Sequence, residues 1–196
     1  VPVIEGIQMG WRFEPCQQVG GDIFHLSAED QIHISAYMLD VCGHGVSAAL
    51  IAVTVKQFLD NLQGQAFRRG YPLQPSDILN KLEVEFPFDR FDCYFTIVYV
   101  LLNVENGELI YGCAGHVPPI IMGKNNRLEA LNHHGPVIGF GHELPFSQAK
   151  TQMKSGERII LYTDGVIDNF GPKGNFNSKK SFYNSLRRHR DQSVDQ

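Results

Sequence analysis

Ile32-His33-Ile34-Ser35-Ala36-Tyr37-Met38-Leu39-Asp40-Val41-Cys42-Gly43-His44-Gly45 is an apolar run that ends abruptly in an acid and a glycine-framed turn. The part from Ile32 to Leu39 predicts a strand. Asp40, at the strand's end with glycine close behind, would then be exposed yet rigidly held. The same design recurs late in the chain, where Ile159 to Thr163 runs into Asp164-Gly165. A third acid, Asp22, opens a strand directly after Val19-Gly20-Gly21, where glycine lets the backbone pass close to whatever the carboxylate binds. Three carboxylates placed in this way can converge on hard cations.

Working outward, further β-rich runs cover Ile7 to Phe13, Asp22 to Leu26, Tyr94 to Leu102, Glu108 to Cys113, Pro119 to Met122 and Arg158 to Tyr162, most of them bounded by Gly, Asn or Asp. Asn106-Gly107 supplies the positive φ angles of a tight hairpin between Tyr94–Leu102 and Leu109–Cys113. A second hairpin is expected to turn at Glu29-Asp30. Between the strands lies a helical block, Val46 to Leu62, with Val55, Phe58, Leu59 and Leu62 on one face. A polar, glycine-containing linker is expected from Gly64 to Gln74. A second helix should run from Ser76, as N-cap, to Phe86, with Ile78, Leu79, Leu82 and Phe86 as its apolar stripe. Strands, then two helices, then more strands do not make the regular alternation of a doubly wound sheet. The predicted fold class is α+β, with two stacked antiparallel sheets flanked by helices.

With 196 residues and 43% hydrophobic content the chain can bury one substantial core, so a single domain over 1–196 is expected. A net charge of -4 without a long Lys/Arg run argues against nucleic acid and membrane surfaces as partners, since both need a positive footprint. Cys16, Cys42, Cys93 and Cys113 contain no CxxC pair and read as reduced, mostly buried thiols of a cytoplasmic protein. No stretch approaches the length of a bilayer span, and the chain begins mid-pattern at Val1, as a piece of a longer protein would.

Aspartate oxygens suit Mg²⁺ or Mn²⁺, whereas the His/Cys clusters of zinc sites and HExxH are missing from the sequence. A single Asp-Gly remains an ordinary turn dipeptide, and Asp often caps helices. The residues six beyond each cysteine are Asp22, Ala48, Tyr99 and Pro119, which excludes a Cys-x5-Arg phosphatase. Neither a G-x-x-x-x-G-K-[ST] loop nor a G-x-S-x-G elbow is present. Metal-assisted hydrolysis is the enzymatic reading that survives.

Taken in order, Val19-Gly20-Gly21-Asp22, Asp40-Val41-Cys42-Gly43-His44-Gly45 with Ala48-Ala49-Leu50, Phe95-Thr96, Ala114-Gly115-His116-Val117-Pro118-Pro119 and Leu161-Tyr162-Thr163-Asp164-Gly165-Val166 resemble the metal-dependent protein phosphatase (PPM) family in its RsbU and SpoIIE branch. The resemblance runs from about Gly10 to Gln192. It implies a β-sandwich with helices on both outer faces. It also implies two ions, Mn²⁺ or Mg²⁺, bridged by Asp40, with the Val41 carbonyl, Asp22 and Asp164 completing the shells and metal-bound water attacking phosphoserine or phosphothreonine. His44 and His116 are the candidates for contact with substrate. His25, His33, His133, His134, His142 and His189 receive no role. Gly135-Pro136-Val137-Ile138-Gly139 resembles a family turn in altered form and reads as a plain loop.

Relatives of this kind commonly act on anti-sigma-factor antagonists and stand behind a receiver or sensor domain, so the resemblance implies a phosphorylated regulatory protein as partner. The family's closing Asp-Asp-Ile-Thr strand is not reached before Gln196, and Asp191 and Asp195 do not replace it. Weak binding of one metal or inactivity, and an open strand edge that favours self-association, as in a homodimer, or instability, are the expected consequences. The rival reading is a non-catalytic binding module that retains the fold. Lys179, Lys180, Arg187, Arg188 and Arg190 read as a solvated helix face.

Overall fold

The computed structural model describes residues 6–14, 19–28, 30–124, 127–168 and 176–194. In chain order the elements are β1 (Ile23–Ala28), β2 (His33–Val41), α1 (Val46–Arg69), α2 (Pro75–Glu85), α3 (Phe88–Phe91), β3 (Phe95–Asn103), β4 (Glu108–Ala114), β5 (Ile120–Met122), β6 (Leu128–Ala130), β7 (Ala149–Gln152), β8 (Arg158–Ile160), α4 (Asp164–Asp168) and α5 (Phe176–Arg188). They build a five-stranded sheet, β1-β2-β3-β4-β7, and a three-stranded sheet, β6-β5-β8, with every named strand pair antiparallel.

The alternation of side chains along β2 and β3 assigns the layers. Tyr37, Leu39, Val41, Phe95, Ile97 and Tyr99 point to one face, where they pack with Ala52, Val55 and Leu59 of α1 and Ile78, Leu79 and Leu82 of α2. Ala36, Met38, Val98 and Val100 point the other way, toward Ile121, Ile159 and Leu161 of the second sheet. The outer face of that sheet is covered by α5 through Phe182, Tyr183 and Leu186. The order helix, sheet, sheet, helix is the sandwich expected from the sequence. Each fully buried Leu or Ile in these layers contributes roughly 1.5–3 kcal/mol.

The hairpin at Asn106-Gly107 forms as expected, with Gly107 at φ 75 and its amide donating to the Asn103 carbonyl at 2.9 Å. Asp30 closes the β1–β2 connection by accepting the Ile32 and His33 amides at 2.8 and 2.7 Å. Glu29 lies outside the described residues.

Several expectations need correction. Ile7 to Phe13 enters no ladder among the described residues, and Trp11 and Phe13 are exposed; a β-rich run without a neighbouring edge is not a strand. The polar linker begins six residues later than expected, because α1 continues to Arg69 before Gly70 turns at φ 78. Gln63 holds this extra stretch to the sheet by bonding Ser35 Oγ and the Tyr99 hydroxyl at 3.2 and 3.3 Å, and Ala66 is buried.

Ser76 is not the N-cap of α2. Gln74 occupies that position and Pro75 the first turn, where a missing N–H costs nothing. The Ser76 amide and hydroxyl instead donate to Gln148 Oε1, each at 3.0 Å. Asn80 and Glu83 bind the same distant segment, through the Phe146 amide at 2.7 Å and the Gly139 and Gly141 amides at 2.7 and 2.6 Å. Partners supplied from 56 to 72 residues away leave no local signal.

The Gly135 to Gly139 stretch is more than a plain loop: Ile138 pairs with Phe95 and is fully buried, and Gly135 pairs with Ala114. β8 stops at Ile160, short of the expected Tyr162. Short β6, β7 and α3 carried no readable pattern. Of the cysteines, Cys113 is buried, Cys93 is partly so and Cys42 is exposed, contrary to the expectation for Cys42, since it lies past the last ladder pair of β2; Cys16 lies outside the described residues.

Candidate metal centre

Strand register alone brings two of the three acids together. Ile23 pairs with Leu39, and both side chains lie on the helix face, so Asp22 and Asp40 lie one position on and face the other sheet. Asp40 is opposite Thr96 on β3. Gly21, just before Asp22, has its Cα against β2: a Cβ there would stand 2.8 Å from the Val41 carbonyl oxygen and 3.3 Å from Ala48 Cβ. The glycine is therefore required by the approach of two strands and of α1, a more local reason than closeness to a ligand. It also locates the Val41 carbonyl beside Asp22.

The third acid arrives from the second sheet. Asp164 opens α4, directly after the chain leaves β8. It is exposed, and its charge acts on both Asp22 and Asp40. Thr163, the residue before it, lies close enough to Asp22 to favour its ionised form.

Crowding these carboxyls makes ionisation costly. Burial, then the charge of Asp22, their shared hydrogen bond and the charge of Asp164 raise the Asp40 pKa from 3.8 to about 7. Burial also raises that of Asp22, an effect opposed by the hydrogen bonds from Asp40 and Thr163 and reinforced by Asp164. The two carboxyls interact strongly enough to titrate as a pair, giving up their protons in steps.

His116 is buried between the sheets. Its Nε2 is 3.2 Å from the Tyr162 carbonyl oxygen and its Nδ1 is 2.8 Å from Thr96 Oγ1. A carbonyl can only accept, so Nε2 carries the proton, and Nδ1 accepts from the Thr96 hydroxyl. Burial holds the ring neutral, with a pKa lowered to about 4. With both nitrogens engaged, the ring stands between protein groups rather than at the open side of the acids. His44 is exposed in the turn after β2 and makes no hydrogen bond among the described residues.

Asp22, Asp40, the Val41 carbonyl and Asp164 form an all-oxygen set of the kind that Mg²⁺ and Mn²⁺ take. Among the described residues no three His, Cys, Asp or Glu groups stand at mutual ligation spacing. A hydrated Mg²⁺ keeps several waters and needs only one or two direct carboxylates, so the donor chemistry fits such an ion.

Residues 30–196 match the family described as Stage II sporulation protein E (SpoIIE). The chain belongs to the SpoIIE family. Phosphoserine phosphatase RsbU from Bacillus subtilis (strain 168) is 29% identical over 171 residues, which are 86% of this SpoIIE-family chain and 49% of RsbU. The SiaA-PP2C domain of Pseudomonas aeruginosa shares its fold with a TM-score of 0.72 at 19% identity, covering 90% of this chain and 69% of that one. The PP2C phosphatase domain of SpoIIE from Bacillus subtilis, solved with a fragment of its regulatory domain, gives 0.70 at 17%, covering 87% and 48%. The chain spans half or less of the length of the curated relatives it matches.

The buried proton has a measurable consequence for this SpoIIE-family chain. The folded pKa of Asp40 lies above its unfolded value, so the stability it contributes is fully present below pH 3.8 and is lost as pH rises through about 7. His116 works in the opposite sense, its contribution being lost as pH falls from 6.5 toward about 4. Comparison with Asp40→Asn separates the two. With chelator present, the stability of the original chain relative to that variant should fall between pH 4 and 7, read as denaturant midpoints. A difference that stays flat across this window would show that Asp40 titrates normally.

Thr96 and Thr163 were not singled out as site residues from the sequence. Phe95-Thr96 was visible as part of an ordered motif, but the role of Thr96 follows only from its register opposite Asp40.

Proposed function

We propose that this chain is a metal-dependent protein serine/threonine phosphatase domain, a single unit over 1–196 within a longer cytoplasmic protein that carries a sensor or receiver domain. Its substrate is a phosphoserine or phosphothreonine on a small regulatory protein of the anti-sigma-factor antagonist type. The observation that carries the reading is that Asp22 and Asp40 stand side by side at the strand ends, within reach of the charge of Asp164. Membership of the SpoIIE family and the likeness to a phosphoserine phosphatase support it.

In this reading Asp22, Asp40, the Val41 carbonyl and Asp164 hold Mn²⁺ or Mg²⁺, two ions in the complete domain. When bound, such ions supply a Lewis acid for the phosphate and lower the pKa of water toward neutrality. The protein's part is to keep the carboxylates aimed at one place: the β1–β2 register sets Asp22 beside Asp40, and the two sheets set the span to Asp164. No side chain is needed as a covalent nucleophile.

The test is phosphate release from a phosphoserine peptide with Mn²⁺ and with chelator. Release that depends on Mn²⁺ supports the enzyme. That no three His, Cys, Asp or Glu groups cluster at ligation spacing among the described residues favours the rival, a binding module that keeps the fold; partner binding that is unaffected by chelation, without any release, would support that instead.

A further inference from the structure

Among the described residues, one polar side chain spans the gap between the sheets near the acids. Thr96 stands on β3 opposite Asp40. Tyr162 lies two residues before Asp164, on the chain leaving the second sheet. Between them sits the His116 ring, receiving the Thr96 hydroxyl at 2.8 Å and donating to the Tyr162 carbonyl at 3.2 Å. From this geometry we infer that His116 is a positioning residue: a neutral clasp, Thr96 to His116 to Tyr162, that fixes the distance between Asp40 and Asp164. The inference rests on the metal reading given above.

The backbone around the ring is built to hold it there. Gly115 turns at φ 65, and a Cβ on it would meet Val137 Cγ1 at 2.4 Å, so the turn that delivers His116 into the interface tolerates no side chain. The Cys113 thiol donates to the His116 carbonyl at 3.1 Å, the Gly115 amide donates to the Gly135 carbonyl at 3.0 Å, and the Gly135 amide donates to the Cys113 carbonyl at 2.7 Å. An imidazole held at its backbone and at both ring nitrogens has little freedom left. The carbonyl it grips is in turn fixed relative to the first sheet. Since β8 ends at Ile160, the segment from Leu161 to Thr163 has no ladder of its own to do this. Loss of the clasp would leave both acids present but their separation unset. Groups that orient ligands in this way typically change metal affinity by about 10- to 100-fold.

The experiment is titration of the 196-residue chain with Mn²⁺ alone, by calorimetry, alongside hydrogen exchange of the amides from 162 to 166. His116→Ala should weaken Mn²⁺ binding about tenfold or more and speed exchange across that segment. His116→Gln, whose amide offers one acceptor and one donor, should recover most of the affinity. Thr96→Val removes one end of the clasp with little change of volume and should weaken binding by a smaller factor. Leu79→Ala, a core variant remote from the clasp, controls for stability. If His116→Ala behaves like Leu79→Ala, with a lower melting temperature and unchanged Mn²⁺ affinity, the clasp is overturned while the metal reading stands. If the original chain takes up no Mn²⁺, the metal reading falls and the inference falls with it.

Discussion

Asp40→Asn is expected to reduce Mn²⁺-dependent phosphate release by at least ~10³-fold, with the chain still folded. Asparagine keeps the shape of the side chain and removes its charge, so packing against Thr96 and Asp22 changes little. What is lost is a carboxylate beside Asp22 and within reach of the charge of Asp164. Without a cation the substitution relieves repulsion, since burial and two neighbouring carboxylates already disfavour ionised Asp40. The variant should therefore be more stable than the original chain near pH 7 in chelator, and inactive with metal. Activity and denaturation measured on one preparation check both halves. A variant that lost activity by unfolding would fail the second half, and one that kept its activity would remove Asp40 from the site.

Gly21→Ala should lower stability by about 1–3 kcal/mol and weaken Mn²⁺ binding at least about tenfold. The added methyl would stand 2.8 Å from the Val41 carbonyl oxygen and 3.0 Å from Val41 Cβ. These atoms belong to a central strand paired with β3 along its whole length, so β1 must move instead. Its first casualty is Asp22, the next residue, and the oxygen being pushed is itself a proposed ligand. Gly64→Ala provides the contrast, because nothing lies within 4 Å of that position in the middle of α1. There the extra methyl should stabilise by roughly 0.5–1 kcal/mol through helix propensity. Denaturant midpoints and Mn²⁺ titration of the two variants would show whether Gly21 is a packing residue of the site. If Gly21→Ala kept both stability and affinity, the close approach of the strands would not matter.

The layers of the fold were legible because their signals are local. β2, β3 and β4 are β-rich runs bounded by turn residues, and Asn106-Gly107 can do little other than turn. The apolar stripe of α1, with Val55, Leu59 and Leu62, does face the core. Where the reading failed, the missing term was a partner far along the chain. α1 outran its expected end because Gln63 bonds Ser35 and Tyr99 on the sheet. Ser76 looked like a cap, but its partner is Gln148. Ile7 to Phe13 has the residues of a strand and no edge to join.

The site divides in the same way. Asp22, Asp40 and Asp164 stand out in the sequence as candidates, since an acid at the start or end of an apolar run with glycine close by is a one-dimensional pattern. Tertiary structure decided the rest. It paired Asp22 with Asp40 by register, set Thr96 opposite, brought Asp164 across from the second sheet and buried His116 with both nitrogens engaged. The physical reason is that residue type and spacing along a chain determine which groups can bind a cation and which segments prefer strand or helix. Distances between sheets, and the pKa values that depend on them, arise only when the folded layers exclude water and bring like charges together.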